Sequence, residues 1–403
     1  MNAPKILLLT ALSSFFALNS LAQTWTQTSA QSNFWQSVAS SADGTKLVAA
    51  GNPSDSWPIG GIWTSTNSGV TWTLTSASTA TNWTAVASSA DGIRLATATG
   101  GGLICISTNS GSTWIQVVNN LTNSWNSICS SADGNILAVA GVGAVYTSLD
   151  SGGTWVSNNL PVAAWVCIVS SADGKKLATV SQTKWIYTST NSGTVWISNN
   201  VPRQNWHSIA LSANGNKMVA LGDPSFNKSA IYTSQDGGLT WISNAVPRMS
   251  AANSVASSSD GTKLVVVTGG AAGVAGFIYM STNSGMIWSS NNTPLRTFWH
   301  SVASSADGNK LVTAIQPLDT FSGGGRIYTL YNKSAPLMNL IQTNGDLAAS
   351  WTIPSTNFVL QSSADLSSWT DLTNQPVFNL TNLQNEVALP LSTSNNFYRL
   401  KTP

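Results

Sequence analysis

Glutamate occurs once in this chain, at Glu386, and histidine twice, at His207 and His300. Charged residues of every kind make up 8% of the sequence, and the formal net charge is +2. With no basic run there is nothing to neutralise a phosphate backbone, so nucleic acid is excluded as a partner. Cys105, Cys129 and Cys167 have no metal-ligand spacing, and no phosphate loop or dinucleotide fingerprint is present, so no metal and no cofactor is expected. After the leader no apolar run is long enough to span a bilayer as a helix.

Tryptophan is what the chain has in excess, 18 residues at regular spacing, and this argues for a packed protein despite the Ser-, Thr-, Asn- and Gly-rich surface. A version of W-x-S-V-A-S-S-A-D-G-x-K-L-V-A begins at Trp35, Trp83, Trp125, Trp165, Trp206, Ala252 and Trp299. Its turn residues, Asp43, Asp91, Asp133, Asp173, Asn214, Asp260 and Asp307, lie 40 to 48 residues apart. Six copies run on into I-Y-T-S-T-N-S-G-x-T-W. A period near forty with several short strands per unit predicts an all-β, seven-bladed β-propeller. Cys129 and Cys167 fall on neighbouring inner strands in this scheme; buried free thiols are the expectation, with a disulfide left open.

The first 22 residues read differently. Lys5 is followed by the apolar stretch Ile6 to Leu21, and Ser20-Leu21-Ala22 is a small-x-small cleavage site before Gln23. A secretory leader is expected, with the mature protein secreted or in the cell envelope and no transmembrane segment left after its removal. No Cys follows the cut, which disfavours a lipid anchor.

Four strand signals occupy each repeat; in the first copy they are residues 37–41, 46–50, 61–65 and 71–75. The Ala-Asp-Gly triplet between the first two is a tight-turn signal. The last copy stops after Ile327-Tyr328-Thr329, one strand short. Thr24-Trp25-Thr26-Gln27-Thr28-Ser29 matches the fourth-strand phrase Thr71-Trp72-Thr73-Leu74-Thr75-Ser76. The N-terminal strand is therefore expected to complete the last blade, which removes exposed edges.

Ser65-Thr66-Asn67-Ser68-Gly69-Val70-Thr71-Trp72 resembles the Asp-box, or BNR repeat, of sialidase-like propellers. Ser107 to Trp114, Ser148 to Trp155, Ser189 to Trp196, Ser234 to Trp241 and Ser281 to Trp288 match the same pattern, S-x-[DN]-x-G-x-x-W. The resemblance covers nearly all of residues 23–331. It is closest in style to the non-catalytic photosystem II assembly-factor and sortilin-type propellers, and it implies a fold rather than an activity. The box is read as structural, its Trp packed on the blade; Trp155→Ala is expected to cost about 3–5 kcal/mol.

Residues 336–403 form a separate module. Short apolar runs separated by turn residues, with Trp351 and Trp369 as core candidates, predict an immunoglobulin- or fibronectin-III-like β-sandwich. It resembles C-terminal modules of secreted bacterial proteins, which implies a spacer or cell-surface attachment.

In a four-stranded meander the 1–2 and 3–4 turns share one end, and the 2–3 loops and inter-blade links share the other. The regular turns leave function to that second end. Its long loops carry Asp55 and Trp57, then Asp223 and Phe226, then the Gly-rich stretch 269–276, then Asp319 and Phe321. Links entering the last three blades carry Arg203, Arg248 and Arg296. The Trp opening each inner strand either lines the central mouth or plugs the channel. Arginine and aromatic residues at one end suit a protein or a glycan ligand. The candidate binding set is Trp57, Arg203, Asp223, Phe226, Arg248, Arg296 and Phe321.

An enzyme fits less well. Sialidases use a Tyr nucleophile with a Glu, an Asp and three Arg, yet the one Glu lies in the tail, and no catalytic role carries over to this chain. A glycoside hydrolase alternative would rest on Asp55 and Asp319, which come from blades adjoining on ring closure. A third reading is a structural cell-envelope protein held by its tail.

Overall fold

The computed structural model describes residues 25–401 apart from 54–59, 79–80, 118–122, 183–184, 226–227, 245–248, 250, 270–275, 292–297, 317–323, 332–337, 344–345, 353–358, 366, 374–375, 381–382 and 390–396. Among the described residues there is no helix. Seven four-stranded antiparallel sheets share one plan. The first consists of Phe34–Ser40, Leu47–Asn52, Gly61–Ser65 and Thr73–Leu74 in sequence order.

The last sheet breaks that order. Phe298–Ser304, Lys310–Gln316 and Ile327–Tyr331 are followed by Thr26–Gln27 from the other end of the chain. Thr26 lies opposite Thr329, Gln27 opposite Tyr328, and Thr28 N donates to Ile327 O at 2.9 Å.

The sheets form a closed circle. The first strand of each touches the first strand of the next, and Phe298–Ser304 returns to Phe34–Ser40. At one end of the axis the circle is drawn in backbone hydrogen bonds. Ala42 N donates to Ala90 O, and the pattern continues through Ala132, Ala172, Ala213, Ser259 and Ala306, whose N donates back to Ala42 O, each bond 2.7–2.8 Å. Antiparallel sheets packed radially in this way make a β-propeller.

The turn at that end is built by Ser and Asp side chains. In the first sheet Ser41 Oγ donates to Asp43 Oδ1 at 2.6 Å and accepts from Lys46 N at 3.0 Å. Asp43 Oδ1 also accepts from Thr45 N at 2.9 Å. Gly44 sits at φ +66, and a Cβ there would lie 2.8 Å from Lys310 of the preceding sheet, so only glycine serves. Burial pushes the Asp43 carboxyl up, but hydrogen bonds from Ser41 and Thr45 outweigh it and leave it below the ordinary carboxylate range.

The opening tryptophans neither line nor plug the axis. Trp35, Trp125, Trp165, Trp206 and Trp299 are at most 1% exposed and lie between their own sheet and the preceding one. Trp165 meets the Tyr187 ring edge-on at 5.7 Å, and Trp206 meets Tyr232 at 5.4 Å. The cause is a β-bulge. Trp35 pairs with Gly51 and Ser37 with Ala50, so Gln36 is an extra residue. Trp35 and Val38, three apart, then face the same buried side. The same irregularity recurs at the start of every first strand.

The tryptophans of the second motif are half-buried instead. Trp155 packs against the buried cluster that contains Trp125 and Leu137, and its Nε1 donates to Gly152 O at 3.1 Å. The three cysteines are free thiols, all raised by burial, Cys105 to about 11.

Beyond Tyr331 two further sheets share a core. Met338–Thr343, Asp346–Thr352, Gln384–Leu389 and Val377–Asn379 make one; Thr370–Asp371, Val359–Ser363 and Phe397–Lys401 make the other. Trp351, Val387 and Leu389 of the first pack on Leu360 and Tyr398 of the second. Trp369 is not in that core; it is half-buried under Arg399, whose Cζ lies 4.1 Å from the ring centroid.

Candidate functional site

In the first six sheets both regular turns lie at the alanine end of the axis. Ser68 N, in the second-motif turn, donates to Thr45 O, in the Ala-Asp-Gly turn, at 2.8 Å. The equivalent bond recurs in each of the next five sheets. The second-motif turn uses the same side-chain logic. Ser148 Oγ accepts from Gly152 N at 2.8 Å and donates to Asp150 Oδ1 at 2.7 Å, while Thr154 N donates to Asp150 Oδ1 at 2.8 Å. Hydrogen bonds from Thr154 and Ser148 hold the Asp150 carboxyl down at about 2. Every acid here is consumed in turn formation. The 2–3 loops and the links are left at the other end.

The bulge residues ring that other end. Gln36, Thr84, Asn126, Val166, His207, Asn253 and His300 each follow the opening residue of a first strand, and all line the axial cavity of about 650 Å³. Three of them tie adjacent sheets together: Thr84 Oγ1 donates to Trp125 O at 2.8 Å, Asn126 Nδ2 to Trp165 O at 2.8 Å and Asn253 Nδ2 to Trp299 O at 2.7 Å. The two histidines do something else.

His207 Nε2 lies 2.7 Å from Asp223 Oδ2, with the two side chains 31% and 25% exposed. The pairing of Asn205–Leu211 with Met218–Ser225, Asn205 opposite Asp223, brings the imidazole to the carboxylate. Ser229 Oγ donates to Asp223 Oδ1 at 2.7 Å and accepts from Ala252 N at 3.0 Å. The order is His–Asp–Ser, with the hydroxyl bonded to the carboxylate and not to the imidazole, so this is not a nucleophile activated by a base. His300 stacks on Phe298 at 6.4 Å, and burial lowers its pKa to about 4. It is a neutral ring at pH 7.

Arg203 is exposed and lies over Trp185, its Cζ 4.6 Å from the ring centroid. Trp185 itself meets Tyr187 edge-on at 6.4 Å. Stacking engages the flat face of the guanidinium, while its N–H donors point outward in the plane, where a carboxylate can take two of them. The following residue, Gln204, is buried against Gly222, where a Cβ would come within 2.9 Å of its Cγ. Gln204 lies between Arg203 and the strand Asn205–Leu211, which carries His207.

Of the residues singled out in the sequence, Arg203 and Asp223 are described, both at the loop end of the sheet formed by residues 205–244. Asp223 has found a partner, His207, and Arg203 a platform, Trp185, neither of them in the candidate set. Trp57, Phe226, Arg248, Arg296 and Phe321, and the carboxylate pair Asp55 and Asp319, lie outside the described residues. The signal for the bulge ring was in the sequence: the position after each opening Trp is polar in every copy but Val166. Among the described residues no three His, Cys, Asp or Glu side chains gather, and no helix is long and apolar enough to cross a membrane.

No protein-family model and no curated relative matches the chain. Solved structures do. One is YCF48 bound to D1 peptide, 15% identical with a TM-score of 0.59, covering 80% of this chain and 100% of that one. Another is YCF48 from Cyanidioschyzon merolae, 10% identical with a TM-score of 0.58, covering 77% of this chain and 99% of that one. At these identities the likeness is one of fold, and the β-propeller architecture is what this chain shares with them.

Proposed function

We propose that this chain is an exported recognition protein: a seven-bladed Asp-box propeller over residues 23–331, behind a leader over 1–22 and ahead of an immunoglobulin- or fibronectin-III-like sandwich over 336–403. Its ligand is an extended, acidic segment of another protein, bound at the end formed by the 2–3 loops and inter-blade links. The observation that carries this reading is Arg203 laid on Trp185, four residues before His207, which lines the polar axial cavity. A stacked, edge-exposed guanidinium suits the flat carboxylate of an Asp or Glu side chain or a chain terminus. The binding of a peptide by a propeller of similar fold supports it by analogy. Arg248, Arg296, Trp57, Phe226 and Phe321 belong to the same end by strand order and are the proposed remainder of the surface. The tail would hold the protein at the cell surface.

A peptide array and a glycan array, both probed with the mature chain, test the assignment. Acidic peptides are expected to bind, and Arg203→Ala to weaken them by about 1–2 kcal/mol. Lys175→Ala, an exposed cation in an Ala-Asp-Gly-type turn at the opposite end, is expected to leave binding unchanged. Glycan binding without peptide binding, or equal loss in both variants, would overturn the reading. Export is tested by the mass of the protein recovered from its natural host, expected to begin at Gln23.

A further inference from the structure

The repeated alanine before each turn Asp faces the axis, and a residue of the tail reaches the ring it forms. Ala42, Ala132, Ala172, Ala213, Ser259 and Ala306 are buried, and the space among them, about 160 Å³, is lined also by Leu383. Leu383 belongs to the tail. It lies in the turn between Val377–Asn379 and Gln384–Leu389, with its N donating to Asn379 O at 2.9 Å. Its side chain packs against both arcs of the ring, Ala42 with Ala306 and Ala132 with Ala172 and Ala213, as does Ala90 between them.

Three further observations bear on why a leucine sits there. Its backbone holds φ +56, a conformation in which glycine or asparagine is the relaxed choice. A branched apolar side chain is kept at this strained position, in contact with the ring. The neighbouring hydroxyls do not compete for that space: Ser40, Ser88, Ser130, Ser170, Ser257 and Ser304 each donate back to the carbonyl of the following serine at 2.9 Å. The ring therefore presents methyl groups at six of its seven places and the Ser259 hydroxyl at the seventh. Its inner diameter is set by alanine in six of seven places, since a larger residue repeated around the axis would fill the hole that Leu383 enters.

We propose that the tail is a stopper: Leu383 is the knob, the seven-membered ring of small residues is its socket, and together they close the turn end of the axial channel. A solute then reaches the channel from the loop end alone, and the tail is held on the axis at the end opposite the proposed recognition surface. This rests on the ring and on Leu383, and is independent of what the loop end binds.

The mature full-length chain tests it in three variants. Leu383→Asp places a charge against methyl groups, Leu383→Gly relaxes the turn but removes the knob, and Ala172→Leu fills the socket from the ring side. Each is expected to lengthen the maximum dimension seen by small-angle scattering. Each is also expected to speed amide exchange at Ala42 and Ala90 about tenfold, with the exchange of the sheet interiors unchanged. If the turn conformation alone mattered, Leu383→Gly would leave scattering unchanged and slow exchange in the tail, and that result would overturn the proposal. So would scattering profiles of Leu383→Asp and Ala172→Leu that superpose on the wild type.

Discussion

At the scale of the residue, tryptophan does two jobs that look alike in the sequence. The opening Trp, present in six of the seven repeats, is sealed between sheets, whereas the second-motif Trp is half-exposed just before the outer strand. Trp165→Ala is therefore expected to cost about 3–5 kcal/mol, and Trp155→Ala about half as much, in urea unfolding. Equal losses would place the outer Trp in the core after all. The misassignment of the inner Trp has a physical reason. Strict alternation puts Trp35 and Ser37 on one side and Gln36 on the other, but the bulge inserts one residue and turns Trp35 to the side of Val38. Periodicity alone does not reveal an inserted residue. His300 carries the pH prediction. Its folded-state pKa is depressed to about 4 by burial, so the unfolded chain takes up a proton first as pH falls. Stability is expected to drop as pH goes from 6.5 towards 4, and His300→Asn to flatten that part of the curve. A histidine proton resonance that titrates near 6.5 in the folded protein, assigned to His300, would refute this.

At the scale of the element, one device recurs: a serine hydroxyl and an Asp or Asn side-chain oxygen close a turn that the backbone alone leaves open. Asn67 does with its amide what Asp150 does with its carboxylate. Thr71 N donates to Asn67 Oδ1 at 2.8 Å, and only the bond to the threonine hydroxyl changes direction. Asp150→Asn is expected to shift stability at pH 7 by less than about 0.5 kcal/mol. The tail uses the same grammar in Ser363-Ala364-Asp365, where Ser363 Oγ donates to Asp365 Oδ1 at 3.1 Å and Ser367 N donates to it at 2.9 Å. Hydrogen bonds from Ser367 and Ser368 hold that carboxyl well below its ordinary range. The fourth position of the second-motif turn is strained. Ser192 sits at φ +55, while Gly237 takes the equivalent place at φ +73. Ser192→Gly is expected to raise stability by about 0.5 kcal/mol, the relief of left-handed strain outweighing the added freedom of the unfolded chain. A lower melting temperature would show that the serine side chain contributes more than the strain removes.

At the scale of the whole molecule, stability depends on the chain meeting itself. Thr26–Gln27 covers the edge of Ile327–Tyr331, and Trp25 packs on Trp299 with centroids 6.2 Å apart. Removing residues 23–29 is expected to lower the melting temperature by on the order of 10 °C and to cause concentration-dependent association through the uncovered edge. A monodisperse truncated protein with an unchanged melt would contradict it. The sequence alone determined the repeat, the strands within it and the turns between them, because each is written in local terms: Asp-Gly for a turn, alternation for a strand, a missing fourth strand in the last copy. It also placed Asp223 and Arg203 at the right end of the sheets, since strand order fixes which loops share an end. It did not give His207 to Asp223, Trp185 to Arg203, or Leu383 to the alanine ring. Those partners are 16, 18 and, at Ala42, 341 residues apart along the chain. Only the bulge, the packing of one sheet on the next and the return of the tail to the axis bring them within contact, because side-chain contacts across strands and sheets depend on distances that no local pattern encodes.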